Sequence, residues 1–298
     1  RKMSIPPERP ARTPGVITGH VRGDTEDLGR KTVSDFGEQW TYFTRNEGYY
    51  ASDDFFADLV EPLLDPADFK GIACAEIGAG TGNIAAMALR AGVARFTAVE
   101  PSDAVAPLRE NLAEFGARAS VAHVLGENIP RDDFDIVMSI GVLHHIPQPD
   151  PVVKAAYEAL KPGGRMFVWL YGKEGNGVYL AFALPMRALT RRLPIPALSA
   201  LAYVLDGVLA PFVFLARRGI KVPLADYLRD VYGKLSAVDR RVVIVDQLKP
   251  AWALYYTEAE ARDLLERAGF QNVTLHHRHG YSWSVLGHKP DVAVSTQG

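Results

Sequence analysis

The chain has 298 residues, 48% of them hydrophobic, ample for one large α/β domain or one domain with an insertion. A formal net charge of -2 argues against the strong cationic footprint of a nucleic-acid binder. The lone cysteine, Cys74, excludes an internal disulfide framework and fits a reducing compartment. The basic, proline-rich N-terminal stretch has no apolar core segment, so a cytoplasmic setting is expected.

Residues 1–25 carry Pro6, Pro7, Pro10 and Pro14 with few large apolar side chains, and read as a flexible or surface-wrapping arm. Residues 36–50 gather Phe36, Trp40, Tyr42, Phe43, Tyr49 and Tyr50, which suits a helix packing an aromatic face on the main domain, a lid over a ligand, or both. Ser52 is placed to cap a helix that starts at Asp53 and Asp54 and runs to near Pro66. An apolar strand over 72–77 follows, then a turn with Gly78, Gly80 and Gly82, and a helix over 83–91 closed by Gly92. The next predicted elements are a strand over 95–99 with Glu100 at its end, a helix over 103–115, strands over 120–124 and 134–139, a helix over 151–160 and a strand over 165–171. This alternation predicts a doubly wound parallel sheet with helices on both faces.

The rhythm breaks over 175–250. Two apolar runs, 179–189 and 197–216, compare in composition with membrane helices. Asp206, Gly207 and Pro211 interrupt the second, and Arg191, Arg192, Arg217, Arg218 and Lys221 flank it, so a spanning helix is not expected. A helical lid, a homodimer interface and an element lying on a membrane surface follow in that order of preference. Thr257 then caps a helix through 268, closed by Gly269, and strands over 271–279 and 282–288 form a hairpin around Gly280. Four stretches result: an arm and aromatic lid over 1–50, a core over 51–172, an insertion over 173–250, and a closing helix and hairpin over 251–298.

The glycine turn is where chemistry is expected. Glycine permits close approach of a ligand to the backbone, and a helix start offers N–H groups to a polar ligand. Glu76 is a carboxylate at the end of an apolar strand, well suited to accept from a ligand's ammonium group. The spacing G-x-G-x-G differs from the dinucleotide fingerprint G-x-G-x-x-G, and Glu100 suits a ribose diol in either reading.

With A-E-I-G-A-G-T-G-N at 75–83, V-E-P-S at 99–102, G-E-N-I-P at 126–130, F-D-I-V-M-S-I-G-V-L-H-H-I at 134–146 and L-K-P-G-G-R at 160–165, the chain resembles the class I S-adenosylmethionine-dependent methyltransferases, particularly their small-molecule branch. The resemblance covers roughly residues 70–172. It implies a Rossmann-like sheet of order 3-2-1-4-5-7-6 with an antiparallel seventh strand. It also implies S-adenosyl-L-methionine as cofactor and a small-molecule acceptor. Glu76, Gly78, Ala79, Gly80, Gly82 and Asn83 would hold the amino-acid end of the cofactor, and Glu100 and Pro101 the ribose. Glu127 and Asn128 would face the adenine, where the family more often has aspartate, and Ser139, Ile140 and Gly141 would line the wall under the sulfonium. Cyclase or aminocarboxypropyl chemistry on the same fold, and a non-catalytic binding protein, are the alternatives.

A general base is needed only for a protonated acceptor, and His144 and His145, just past the fourth strand, are the candidates, His144 first. Trp40, Tyr49, Tyr50, Tyr171, Tyr255, Tyr256, His279 and Tyr281 are the substrate-side candidates. Strand alternation would place His277, His279 and Tyr281 on one face and Arg278 on the other. The hairpin histidines lack a ligand spacing motif, so no metal is assigned.

Overall fold

A computed structural model of the protein describes residues 25–44, 48–250 and 252–291. The expected N-terminal arm falls outside the described residues. Seven strands form one sheet: β1 (Ala73–Ile77), β2 (Arg95–Val99), β3 (Ala119–Ala122), β4 (Phe134–Ile140), β5 (Leu160–Tyr171), β6 (Gln271–Arg278) and β7 (Ser282–His288). Their order is β3-β2-β1-β4-β5-β7-β6, with β1 to β5 parallel and β7 antiparallel to both its neighbours, as the resemblance implied.

Strand alternation divides β1 between two cores. Ala75 and Ile77 pack on the face covered by α5 (Asp150–Ala159) and, nearer β7, α10 (Glu258–Glu266), with Val152, Val153, Leu264 and Leu265. Cys74 joins Phe96, Ile136 and Met138 on the other face, against α2 (Asp53–Val60), α3 (Asn83–Arg90) and α4 (Val105–Leu112). Each fully buried aliphatic or aromatic side chain here contributes roughly 1.5–3 kcal/mol relative to exposure. Glu76 lies on the second face, one turn of the pleat from Cys74, and is the carboxylate that this apolar strand buries.

Two local expectations are corrected. The helix capped by Ser52 stops at Val60 rather than near Pro66, because Glu61 precedes Pro62 and adopts the extended backbone (φ -71°, ψ 153°) that a following proline favours. In the hairpin, β6 ends at Arg278, and His279 (φ 47°) and Gly280 (φ 71°) form a left-handed turn, so the predicted alternation past Arg278 is lost.

Residues 175–250 form α6 (Gly177–Thr190), α7 (Ile195–Arg217), α8 (Ala225–Asp230) and α9 (Ala237–Leu248). Their own core joins Ile195, Leu198 and Ala202 of α7 to Leu228, Tyr232, Ile244, Val245 and Leu248. Asp206, which breaks the apolar run of α7, turns inward and accepts from Arg240 (2.7 and 3.0 Å) and Tyr232 (2.9 Å). Helix α1 (Thr25–Tyr42) is tied to this unit by a Glu38–Lys249 ion pair at 2.9 Å and by Gln39 donating to Asp246 at 3.4 Å.

Candidate functional site

A cavity of about 950 Å³ runs from the glycine turn, along the carboxyl ends of β1, β2, β4 and β5, to the inner wall of the insertion. Such an edge is where open α/β sheets bind ligands. Helix α1 crosses it and contributes Val33, Phe36 and Trp40.

The turn is built for close approach. Gly78 has φ 78°, and a Cβ there would collide with Val142 Cγ2. At Gly82 a Cβ would meet Leu108 Cδ1 at 2.7 Å, so this glycine serves the packing of α3 on α4 and does not line the cavity. Several N–H groups expected to face a ligand are instead turned inward: Gly78 and Ala79 donate to the Val99 carbonyl (2.8 and 3.0 Å), Gly80 to Glu100 (2.8 Å) and Gly82 to Ala79 (2.8 Å). What the glycines give this turn is an open backbone surface more than a set of donors.

Two carboxylates stand at the ends of adjacent strands. Glu100 is fastened by three bonds, Oε2 to the Gly80 N–H and Oε1 to the N–H (2.9 Å) and hydroxyl (2.5 Å) of Ser102. Glu76 is 1% exposed, and its Oε2 has no hydrogen-bond partner. Burial, with the Glu100 charge second, pushes its pKa up to about 8. A buried acceptor without a donor is costly in a finished protein and suits a site whose cationic ligand supplies the donor. Asn83 donates to the Tyr50 carbonyl (2.6 Å) and leaves its own Oδ1 unpartnered beside the same cavity. These groups fit the amino-acid end of S-adenosylmethionine.

Toward the insertion the lining becomes aromatic, with Tyr50, Trp169, Tyr171, Tyr227, Tyr255 and Tyr281. A polar chain runs through it. Tyr171 donates to Asp246 (2.7 Å), Gln247 donates to Tyr171 (2.6 Å), Tyr179 donates to Gln247 (2.6 Å), and Arg187 donates to Tyr255 (2.9 Å). Burial raises the pKa of Asp246 above the ordinary carboxylate value, against the lowering effect of Tyr171 and Gln39. On the opposite wall Arg278 donates to Tyr281 Oη at 3.0 Å and pairs with Asp58.

Of the residues expected at the site, Glu76, Gly78, Ala79, Gly80, Asn83, Glu100, Pro101, Glu127, Ile140, Gly141, Trp40, Tyr50, Tyr171, Tyr255, Tyr281 and His145 line the cavity. The others are placed elsewhere. Asn128 is exposed at the end of the 3-10 turn that holds Glu127 and does not line the cavity, and Ser139 is buried inside β4. Tyr49 packs on Phe55 and under the Lys234 ammonium, and Tyr256 is built into the core beside α10. His279 is aimed at Asp58 (2.9 Å) by its left-handed backbone.

His144, the favoured histidine, is fully buried, stacked on Tyr171 at 3.7 Å, and outside the cavity lining. Burial drives its pKa well below the ordinary histidine value. His145 does reach the cavity, with Nδ1 on the Trp252 carbonyl (2.8 Å) and Phe36 against its ring, but burial holds its pKa down to about 3. Both imidazoles are therefore neutral, weak bases. Asp246, which the sequence offers only as a polar handle beside Tyr255 and Tyr256, and Arg278, which strand alternation placed on the face away from Tyr281, both line the cavity; each is distant in sequence from the motifs, and the shared cavity is the signal that unites them. Among the described residues, no group of three His, Cys, Asp or Glu side chains is arranged to hold a metal.

Residues 75–166 match the family model for a methyltransferase domain, and this span holds the glycine turn, both carboxylates and β4. Residues 75–166 are thus a methyltransferase domain. The domain is similar to the ubiquinone biosynthesis O-methyltransferase of Pseudomonas putida strain GB-1, 36% identical over 119 residues, which are 39% of this chain and 51% of that protein. The same enzyme of Pseudomonas entomophila strain L48 is 36% identical over 110 residues, 36% of this chain and 47% of that one. The chain thus spans about half the length of these curated relatives.

Two solved structures share the methyltransferase fold over most of their length. The 1,6-didemethyltoxoflavin-N1-methyltransferase of Burkholderia thailandensis, with S-adenosylhomocysteine bound, superposes with a TM-score of 0.53 at 16% identity, covering 92% of this chain and 94% of that one. The magnesium protoporphyrin IX methyltransferase of Synechocystis PCC 6803 gives 0.50 at 12% identity, covering 91% and 100%.

Proposed function

We propose that the protein transfers a methyl group from S-adenosylmethionine to a hydroxyl of a small, partly apolar acceptor. The observation that carries this reading is the continuity of the cavity, which joins the unpartnered Oε2 of Glu76 to the aromatic chamber holding Asp246. The methyltransferase domain and the O-methyltransferases among its relatives support it.

When bound, the sulfonium supplies an already activated methyl group, so the protein's work is alignment, desolvation and proton management. Glu76 accepts the ammonium, Glu100 the ribose hydroxyls with the lone pairs that Gly80 and Ser102 leave free, and Glu127 the adenine amino group. Ile140 and Gly141 shape the wall at the end of β4. Helix α1, through Phe36 and Trp40, covers the cavity and excludes water. Tyr50, Tyr171, Tyr255 and Tyr281 hold the acceptor, and Asp246, oriented by Tyr171, takes the hydroxyl proton. A carboxylate with a raised pKa suits that role better than either neutral histidine.

The test is coproduct analysis with S-adenosylmethionine and a panel of alkyl-substituted phenols and catechols beside thiols and amines. S-adenosylhomocysteine formed with the hydroxyl compounds is expected. Methylthioadenosine as coproduct, or turnover with the thiols or amines alone, would overturn the assignment.

A further inference from the structure

Helices α6 and α7 both pack inward on α9, yet they leave apolar faces in solvent. On α6, Val178, Ala181, Phe182, Pro185, Ala188 and Leu189 form a stripe at helical spacing, all exposed, with Phe182 at 71% and Leu189 at 80%. On α7, Tyr203 (70%), Val204, Val208, Phe212 and Phe214 are exposed, while Ile195, Leu198, Ala202 and Ala216 face the insertion core. The single charge in Gly177–Thr190 is Arg187, and it turns inward to Tyr255. From residue 195 to 215 the single charge is Asp206, and Arg240 and Tyr232 hold it on the inner side. Both helices thus keep their outer faces free of charge, a larger arrangement than the scattered apolar residues of an ordinary surface.

The cations lie at the ends. Arg191 and Arg192 stand in the turn between the helices, Arg217 ends α7, and Arg218 and Lys221 follow it. Arg217 donates to the Gly233 carbonyl and Arg218 lies over the Phe214 ring at 4.3 Å, but among the described residues no ion pair engages any of the five. This clustering occurs in a chain whose formal net charge is -2.

We propose that the outer faces of α6 and α7 lie on an anionic membrane surface, with their aromatic and aliphatic side chains in the interfacial layer and the flanking cations on lipid phosphates. An uncharged face bounded by Arg and Lys is the pattern of an interfacial helix, and the cations select acidic lipid. Helix α7 is long and apolar enough to cross a bilayer, but its inner stripe packs the insertion core and carries the Asp206–Arg240 pair. It therefore lies on the membrane rather than through it. The proposal does not depend on the acceptor reading, because its readout needs no turnover.

The test is flotation of the full chain with vesicles of phosphatidylcholine alone and of phosphatidylcholine with phosphatidylglycerol. Flotation with the acidic vesicles, weakened by high salt, is expected. F182D/V208D and R191Q/R192Q/R218Q/K221Q should each lower partitioning by at least about tenfold. Because all these side chains except the half-buried Arg191 are exposed, circular dichroism and S-adenosylhomocysteine binding should match the parent. Equal flotation with neutral vesicles, or flotation unchanged in both variants, would overturn the proposal. So would a dimer in analytical ultracentrifugation that F182D/V208D dissociates, without flotation of the parent; the face would then be a contact between two copies of this chain.

Discussion

Glu76 is the carboxylate proposed to accept the cofactor's ammonium group. Its pKa of about 8 lies above the ordinary 4.5, so the folded protein without ligand holds an extra proton between those values. The sign follows: this group's contribution to stability is present below about pH 4.5 and is lost as pH rises toward and through 8. Glu76→Gln should therefore stabilise the ligand-free protein by more than about 1 kcal/mol at pH 8.5, measured by urea unfolding. The same variant should weaken S-adenosylhomocysteine and abolish the tightening of wild-type binding between pH 6.5 and 8.5, as read by calorimetry. Wild-type affinity in the variant would remove Glu76 from the site. Glu100→Ala should cost at least about 1 kcal/mol of cofactor affinity through lost hydrogen bonds to a charged acceptor. It should also lower the melting temperature, because the Gly80 N–H and the Ser102 hydroxyl lose their acceptor. These carboxylates were legible before any fold was known, since each interrupts or ends an apolar strand. Tyr49, Tyr256 and His279 were legible only as residue types: an aromatic or imidazole ring serves core packing and ligand binding equally well.

At the scale of elements, α1 is the piece positioned to change with ligand. Trp40 Nε1 lies 3.4 Å from the Cβ position of Gly80, and Phe36 meets His145 with ring centroids 4.8 Å apart, so a cofactor at the proposed site would lie directly beneath this helix. Arg30 and Lys31 are its accessible tryptic sites. Cleavage there should slow at least about fivefold when S-adenosylhomocysteine saturates the protein, as binding raises the free energy of local opening. An unchanged rate would make α1 a fixed wall. The sequence placed an aromatic segment here but started it at Phe36. The first turns of α1 carry a mixed polar composition, and their helical state is favoured by docking on the cavity and α9 rather than by local pattern alone. The β-strands gave the opposite experience, because period-two and continuous apolar runs survive translation into structure.

At the scale of the whole molecule, a mixed sheet supplies the edge proposed for the cofactor and the insertion lines the chamber proposed for the acceptor. Asp206→Ala leaves Arg240 and Tyr232 without their acceptor and should destabilise the insertion by about 1–3 kcal/mol in urea unfolding. Cofactor affinity should stay within about twofold, because the site around Glu76 and Glu100 shares no partner with that pair. A parallel loss of cofactor affinity would show that the two halves are energetically one.

Strand, glycine turn and helix follow from local backbone chemistry, and the sequence by itself determined the strands and the ends of β1 and β2 where the carboxylates stand, while the sheet order came only from the family resemblance. Glycine's freedom at positive φ and the burial periodicity of strands act over a few residues, so they are written in consecutive positions. Tertiary structure alone decided that Asp246 and Tyr171, 75 positions apart, share a hydrogen bond, that His145 rather than His144 reaches the cavity, and that Arg278 faces it. It also turned the charges of α6 and α7 inward and left their apolar faces outside. Those outcomes depend on which surfaces compete for burial once the helices meet, and that competition has no expression at any single sequence position.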